Sequence, residues 1–225
     1  MVKNIILVLF VFILKSCSYK NVASVYINNF TYCYKNQPTG LDSLIQLDGY
    51  YTSMTIKPTI LYYKNNEEVI DTIYNNDMFF KNGICLRNFS ANSKNNDVSK
   101  FFYSLNTGAT TNYEKMIFYN GYFWGNYKLV NDTIKAQYIY KPINYSVNDS
   151  WRGHEIWYKI LNTKSIKEIN LIPLNGFETK EDSNRFYNMY KRRVNKQALY
   201  NFIPTKVIPS PDSSWIVKEP WFWCK

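Results

Sequence analysis

Hydrophobic and polar residues alternate with a period of two along much of the chain beyond residue 48. One such run, YYTSMTI, extends from Tyr50 to Ile56 and divides its side chains into two alternating sets. Because the side chains of a β-strand point alternately to the two faces of its sheet, this period predicts strands. Lys57-Pro58 is predicted to end this first strand, since proline has no N–H to donate to a neighbouring strand.

Short polar stretches separate these runs and are typical of hairpin turns. Asn82-Gly83 is the strongest such signal, and Asn120-Gly121 and Asn131-Asp132 resemble it. Asn75-Asn76-Asp77 is also interpreted as a turn. The predicted strands cover 50–56, 60–63, 69–74, 78–80, 84–89, parts of 116–140, 154–161, 165–172 and 198–203. Helical spacing is found in 41–47 and in 186–194.

Consecutive hairpins predict an all-β fold with a minor helix. We expect a single antiparallel up-and-down β-barrel or a lipocalin-like barrel, with about eight or more strands. Closure removes the exposed edges of a sheet, and a barrel of about eight strands holds either side chains or one small ligand. Whether that interior is hollow or filled bears directly on function.

The first residues follow a different pattern, with Lys3 before an uninterrupted apolar run from Ile5 to Leu14. This run is too short for a membrane-spanning helix, which needs about 20 residues, and is typical of a secretory signal. Leu14-Lys15-Ser16-Cys17 resembles the bacterial lipoprotein signal, in which the cysteine is lipidated and becomes the new N-terminus. The alternatives are an uncleaved N-terminal anchor or a core strand of a cytosolic protein.

The resemblance to a lipoprotein divides the chain into residues 1–16 as signal peptide, 17–40 as lipidated tether, and 41–225 as a barrel-like domain with an irregular Pro-rich C-terminus. Acyl chains such as palmitate on Cys17 would anchor the protein, since each buried CH₂ contributes about 0.8 kcal/mol. Aromatic residues at 26, 30, 32 and 34 indicate that part of the tether also packs against the domain. We therefore expect a cell-envelope location, at the periplasmic face of the outer membrane.

Charge and cysteine content fit an exported protein. The formal net charge of +10 becomes +8 when residues 1–16, with Lys3 and Lys15, are removed. An exported basic protein is expected to meet anionic lipid or acidic glycans rather than nucleic acid. If Cys17 carries lipid, then Cys33, Cys85 and Cys224 allow at most one intramolecular disulfide, and the sequence leaves its pairing open.

Motifs for catalysis and metal binding are missing from the sequence. The single histidine, His154, precedes Glu155 in a predicted strand, so the two side chains should point to opposite faces. There is no G-x-S-x-G elbow, no H-E-x-x-H and no Gly-rich phosphate loop. We predict a non-enzyme with no cofactor and no metal. The alternative enzyme is a hydrolase using scattered carboxylates such as Glu155 and Glu178.

Three stretches resemble small lipoproteins common in Bacteroidetes. They are Asp48-Gly49-Tyr50-Tyr51, the strand at Gly125-Asn126-Tyr127 with Asn131-Asp132-Thr133-Ile134 after it, and Ser210-Pro211-Asp212-Ser213-Ser214-Trp215-Ile216. The similarity covers residues 41–217 and implies a lipocalin-like β domain, with no catalytic residue to carry over. The tripeptides at Ser43, Thr72 and Thr133 are similar to the O-glycosylation motif that these bacteria use on exported proteins.

The aromatic content, with 21 Tyr, 14 Phe and 6 Trp, fits both a core and a surface that stacks on sugars. We predict a non-catalytic envelope lipoprotein whose partners are the membrane and a glycan, a lipid or an envelope protein. The alternative is a structural envelope component without a ligand. The candidate ligand-binding residues are Tyr50, Tyr51, Tyr122, Trp124 and Tyr127. The C-terminal aromatic residues Trp215, Trp221, Phe222 and Trp223 are expected to close a barrel end or cover its base, and the alternative is a stacking platform for sugars.

Overall fold

The computed structural model describes residues 22, 24–61, 67–87, 98–107, 111, 118–119, 122–140, 151–175, 184 and 198–225. Within these ranges, eight antiparallel strands close into a barrel in which every strand pairs with its neighbours in sequence and β8 pairs with β1. The strands are β1 Gly49–Leu61, β2 Glu67–Phe79, β3 Ile84–Arg87, β4 Phe123–Val130, β5 Thr133–Tyr140, β6 Arg152–Asn162, β7 Ser165–Pro173 and β8 Leu199–Pro204. The predicted all-β up-and-down barrel is confirmed.

The described helices lie before β1, between β3 and β4, and after β8. α1 covers Ser24–Asn29 and α2 covers Val98–Thr107. Single 3-10 turns occur at Leu41–Ser43, Pro211–Ser213, Ile216–Lys218 and Pro220–Phe222. The first of these lies in the region where the sequence predicted a short helical turn. None of the described helices is long and apolar enough to cross a membrane.

The first two strands are longer than predicted. β1 continues through Pro58 to Leu61, so the expected end at Lys57-Pro58 is wrong. Among the described residues, β1 pairs with β8 over Gly49–Thr52, whereas Pro58 pairs with Ile70 of β2. Beyond Thr52, the strand therefore resembles an edge strand on the side of β8, where proline is tolerated because no ladder donor is needed.

The predicted turn at Asn75-Asn76-Asp77 is also wrong, because all three residues lie within β2 and are buried. Asp77 pairs with Tyr51 of β1 on one side and with Arg87 of β3 on the other. The residue types favour a turn here, but pairing with β1 on one side and β3 on the other holds the segment extended.

Other turns are formed as predicted. Gly83 connects β2 to β3 with φ of +99°, a conformation that a Cβ disfavours, and Asn131 connects β4 to β5 with φ of +56°. Thr163-Lys164 separates β6 from β7. Gly125 serves a different purpose, because a Cβ there would collide with the backbone carbonyl of Gln137 on β5.

Two hydrophobic cores lie on opposite sides of the barrel wall. The interior core draws buried side chains from all eight strands, and its aromatic members are Tyr51, Phe79, Tyr127, Tyr138, Tyr158 and Tyr200. The outer core lies between the outer surface of the wall and the segments that cover it. Its members include Met78, Leu86, Trp124 and Ile139 from strands, Phe102 from α2, and Tyr26, Phe30, Tyr34, Ile216 and Phe222 from the terminal segments.

A disulfide between Cys33 and Cys224 joins the two terminal segments, with their Cα atoms 4.8 Å apart. Tyr34 N donates to Phe222 O at 2.7 Å, and Cys224 N donates to Tyr34 O at 3.0 Å. The structure thus selects one of the pairings that the sequence left open, and Cys85 remains a buried free thiol.

Several sequence predictions lie outside the described residues. These are the signal segment with Cys17, the turn at Asn120-Gly121 and the helix expected within 186–194.

Candidate ligand-binding surface

The five predicted ligand-binding residues are divided between the two sides of the barrel wall. Tyr51 and Tyr127 belong to the interior core, with 1% and 3% of their surface exposed. Tyr50 and Trp124 belong to the outer core, and the half-buried Tyr122 packs against it. The structure therefore does not bring these residues together as one surface. Their role in binding stays a prediction.

Trp124 lies deep in the outer core. Its Nε1 donates to Phe118 O at 3.0 Å, and its ring stacks on those of Phe80 and Tyr119. The C-terminal residues Trp215 and Phe222 belong to the same core. This aromatic cluster therefore contributes packing against the outer surface of the barrel wall.

The barrel interior contains a charged cluster centred on Arg87 that sequence reasoning missed. The Arg87 Nη1 atom donates to Asp77 Oδ2 at 3.2 Å and to the Tyr158 hydroxyl. The Nη2 atom donates to Glu168 Oε2 at 3.0 Å and to the Tyr200 hydroxyl at 3.2 Å. Tyr158 and Tyr200 in turn donate to Asp77 and Glu168, each at 3.0 Å.

Burial and the neighbouring polar groups together set the proton equilibria in and around this cluster. Desolvation alone would lower the pKa of Arg87, but Asp77, Tyr158, Tyr200 and Glu168 outweigh it and hold that pKa well above its ordinary value. Burial raises the pKa of Tyr158 well above its ordinary value, although Arg87 opposes the shift. Burial likewise raises the pKa of the Cys85 thiol, so this cysteine stays protonated and unreactive.

The two carboxylates of this cluster are closed off from substrate. Asp77 has no exposed surface and Glu168 has 4% exposed, and both are engaged by Arg87. Of the carboxylates expected in a hydrolase, Glu155 lies on the outer side of β6, and Glu178 lies outside the described residues. The described part of the interior is thus filled by side chains and presents no carboxylate pair to a substrate.

A cleft of about 400 Å³ opens on the surface between the N-terminal segment, the β2–β3 turn and β4. Its polar lining residues are Thr31, Lys35, Gln37, Thr39, Asn82, Asn126 and Lys128, accompanied by Tyr32 and Tyr127. Lys35, Gln37 and Lys128 are exposed, whereas Asn126 is buried at its wall. Amides, hydroxyls and two cations therefore surround one concave site.

Specific hydrogen bonds fasten the N-terminal segment beside this cleft. Gln137 Oε1 accepts from Thr31 N at 2.8 Å and from Tyr32 N at 3.2 Å. Asn126 Nδ2 donates to Tyr32 O at 2.9 Å. The Tyr127 hydroxyl lies 2.7 Å from Phe80 O and 2.8 Å from Thr39 Oγ1. These long-range contacts preorganise the cleft walls.

Next to the cleft, the outer side of β4–β7 carries a set of cations that we call the lysine face, defined as Lys128, Lys135, Lys159 and Lys167. Lys128 is directly opposite Lys135, and Lys159 is directly opposite Lys167. The Lys128 Nζ atom lies 4.1 Å from the Tyr32 ring centroid. The Lys135 Nζ atom lies 3.6 Å from that of Trp157.

Two acidic residues adjoin the lysine face. Asp132 forms an ion pair with Lys159. Glu155 accepts from Trp157 Nε1 at 2.5 Å and from Gln137 Nε2 at 2.7 Å. The face is therefore positive overall but offers carboxylate acceptors beside its ammonium groups.

The predicted O-glycosylation residues lie in different settings. Ser43 is exposed in a 3-10 turn and donates to Gly40 O at 2.7 Å. Thr133 is half-exposed at the start of β5, with its hydroxyl 3.3 Å from Asp132 Oδ1. Thr72 lies in β2, and its side chain is outside the described part of the structure. Modification at all three stays a prediction.

His154 and Glu155 occupy adjacent positions in β6, so their side chains face opposite sides of the wall. His154 stacks on Tyr140 with ring centroids 6.0 Å apart. In the described ranges, no three His, Cys, Asp or Glu side chains are grouped so that they could hold a metal ion.

Comparison with models of known protein families, with curated proteins and with solved structures finds no match for this chain. The geometry of the molecule therefore carries the functional argument.

Sequence reasoning missed the lysine face because its members are far apart in the chain. A lysine in an alternating strand has the appearance of an ordinary solvent-exposed residue. One sequence signal could have found the face. Each of these lysines is separated by an odd number of positions from the buried interior residues of its strand, so its side chain points to the outer side of the wall. That signal becomes useful only once the strand register is known.

Proposed function

We propose that this chain is a lipoprotein of the bacterial cell envelope, anchored through lipid on Cys17, whose barrel domain binds a glycan without chemical conversion. The cleft beside the N-terminal segment is the observation that carries the binding proposal. The N-terminal sequence, with its short apolar run ending at Cys17, carries the anchoring proposal.

The chemistry of the cleft suits a carbohydrate. Ligand sites are concave and use a few placed polar groups to fix orientation. The Asn82 amide donates to Tyr34 OH at 2.7 Å and to Asn36 Oδ1 at 3.3 Å, and its carbonyl oxygen has capacity for a further bond. The exposed Gln37 amide adds a group that both donates and accepts. Sugar hydroxyls present the same combination of donor and acceptor.

The anchor would hold the domain close to the membrane. Val22 is already buried against the outer core, five residues after Cys17. Five residues span at most about 18 Å even when fully extended. A lipid on Cys17 would thus keep the cleft near the envelope surface, where glycans are attached.

A structural envelope component without a ligand is the second candidate function. The filled interior favours it, because the Arg87 cluster and the surrounding rings occupy the space where a barrel normally holds a small molecule. The two candidate functions differ at the cleft, because the first predicts that a glycan binds there and the second predicts that no ligand does.

The anchoring proposal is tested by expressing the full chain and Cys17→Ala in a host with lipoprotein processing. We expect acyl labelling and membrane fractionation for the native chain, and loss of both for Cys17→Ala. Equal labelling of the two forms would refute the anchor.

The binding proposal is tested with the full chain in neutral detergent and a panel of neutral and acidic envelope glycans. Asn82→Ala should weaken binding about tenfold, the usual effect of losing a hydrogen bond to a ligand. Asn162→Ala is the matched control, since Asn162 also accepts a backbone N–H in a hairpin turn but lies away from the cleft. Absence of binding to the whole panel, or binding unchanged in folded Asn82→Ala, would favour the structural component.

A further inference from the structure

We infer that the glycan is polyanionic and extends from the cleft across the lysine face. This inference rests on the proposed function, because it specifies the chemical class of the ligand at the same site. The carriers of negative charge would be uronate, sulfate or phosphate groups.

The cleft and the lysine face form a continuous surface. Lys128 lines the cleft and also begins the face, and its cross-strand neighbour is Lys135. Lys135 is opposite Trp157, and Lys159 follows two residues later on the same side of β6. Neighbouring strands lie about 4.8 Å apart, close to the length of one sugar unit. The steps from Lys128 to Lys135 and from Lys159 to Lys167 are directly across two strands and therefore match successive anionic sugars. The step from Lys135 to Lys159 is diagonal and longer, so an uncharged sugar can lie between those two cations.

The arrangement of charges is unfavourable for the protein alone. Like charges directly opposite each other across two strands destabilise a sheet, and this face contains two such pairs, Lys128 with Lys135 and Lys159 with Lys167. Asp132 offsets the charge of Lys159, and the Tyr32 and Trp157 rings lie against the ammonium groups of Lys128 and Lys135. Those rings orient the lysines without neutralising them, so a bound polyanion would relieve the remaining repulsion.

The polar groups among the lysines favour a glycan over an anionic bilayer. Glu155 and Asp132 adjoin the same face, and a uniformly negative surface would repel both carboxylates. A glycan instead presents separated anionic groups with hydroxyls between them, and Glu155 can accept from such hydroxyls. The half-buried Trp157 ring adds an apolar surface beside the ammonium group of Lys135.

The test uses the full chain in neutral detergent with polygalacturonate, and the methyl ester of the same polymer as the uncharged probe. We expect the acidic form to bind at least about tenfold tighter, and high salt to remove that difference because salt screens exposed charges. Lys128→Gln/Lys135→Gln should lose about tenfold in affinity for the acidic form. Lys135→Arg should retain it.

A charge-matched control separates the face from net charge. Lys206→Gln/Lys218→Gln removes two exposed lysines elsewhere and should bind as the native chain does. Equal loss in both double variants would overturn the inference, as would stronger binding to anionic vesicles than to polygalacturonate. Equal binding of acid and ester, still weakened by Asn82→Ala, would overturn the polyanion inference and leave glycan binding intact. If the protein bound neither form of the polymer and did not bind heparin, the inference would be refuted. If it bound no member of the glycan panel either, the proposed function would be refuted as well.

Discussion

At the scale of single residues, Arg87 has the most demanding environment in the described barrel. Its guanidinium has lost nearly all contact with water, with 4% of its side chain exposed, and two carboxylates share its donors. Removing charges from water costs several kcal/mol for each ion, and only close pairing with hydrogen bonds offsets that cost. Tyr158 adds a hydrogen bond to Asp77 Oδ2, and Tyr200 adds one to Glu168 Oε2.

Replacing Arg87 should destabilise the protein more than replacing Asp77 does. Arg87→Met leaves Asp77 and Glu168 buried without their cation, and we expect a loss of about 3–5 kcal/mol in the free energy of unfolding. Asp77→Asn leaves one carboxylate paired with Arg87, so the expected loss is about 1–3 kcal/mol. Urea denaturation of the full chain measures both.

An exposed cation provides the control for that comparison. Lys218→Met should change the free energy of unfolding by less than about 0.5 kcal/mol. If Arg87→Met were as stable as Lys218→Met, the Arg87 cluster would have no structural role.

The sequence did not reveal this cluster, for a physical reason. Polar residues at alternate positions of a strand normally face water, so Arg87 and Glu168 have the appearance of surface residues in the linear pattern. Asp77 was assigned to a turn because Asn-Asn-Asp has strong turn propensity. Only the pairing of β2 with β3, and the approach of β6, β7 and β8 across the interior, shows that these charges meet.

At the scale of elements, the two terminal segments form a cover on the outer surface of the barrel. The segment from Phe30 to Tyr34 lies alongside the segment from Phe222 to Cys224, and both bury aromatic rings in the outer core. Tyr34 and Phe222 stack with centroids 5.2 Å apart. The disulfide beside them closes a loop of 191 residues.

Removal of this disulfide should destabilise the whole protein. Cys33→Ser/Cys224→Ser is expected to lower the free energy of unfolding by about 2–5 kcal/mol, because the cross-link restricts the unfolded chain. Equilibrium urea denaturation under oxidising conditions measures the difference.

Reduction provides the matched control for the disulfide. Dithiothreitol should lower the stability of the native chain to that of the double variant, and should leave the double variant unchanged. An unchanged urea midpoint in native protein whose thiols are shown to be reduced would contradict the prediction.

The ends of strands were predicted well where a turn residue determined them. They were predicted poorly where hydrogen bonding to neighbouring strands outweighed the local preference of the residues. Gly83, Asn131 and Thr163-Lys164 lie at the turns of three hairpins, as expected. Pro58 lies inside β1 because the strand pairs with β2 at that point. Among the described residues, the pairing of β1 with β8 is confined to Gly49–Thr52. The helix at Val98–Thr107 was not predicted, although Phe102 and Leu105 contribute to the outer core.

At the scale of the whole molecule, the tyrosines link the stability of both cores to pH. Burial raises the pKa of Tyr51, Tyr127, Tyr138, Tyr158 and Tyr200 in the interior core above the ordinary value of 10.0. On the outer side, burial, assisted by Asp212, raises the pKa of Tyr34 to about 12. In each case, the folded state holds a proton that the unfolded state releases at lower pH.

Stability should therefore fall at alkaline pH. These tyrosines contribute fully to the free energy of unfolding below their pKa in the unfolded chain, which is about 10. That contribution is lost as the pH rises from there through their pKa values in the folded protein. We expect the free energy of unfolding to decrease steeply above about pH 10. Urea denaturation at several pH values, with tyrosinate absorbance of native and unfolded protein, measures the effect.

The unfolded chain is the reference for the tyrosine titration. In urea, the tyrosines should ionise near their ordinary pKa of about 10, whereas in native protein those whose pKa is raised by burial should ionise only as the fold is lost. Reversible ionisation of nearly all tyrosines near that value in folded protein would contradict the assignment of burial as the cause.

The sequence by itself determined the class of fold. The alternation of hydrophobic and polar residues and the turn residues act locally, and consecutive hairpins of this kind build an antiparallel sheet. It also supplied the basis of the anchoring proposal, since a signal segment is recognised as a linear pattern. Tertiary structure alone decided which aromatic rings face the interior, which cysteines are joined, and which charges meet at Arg87 or along the lysine face. Those outcomes depend on register and barrel closure, which bring together residues up to 191 positions apart, and no local pattern contains that information.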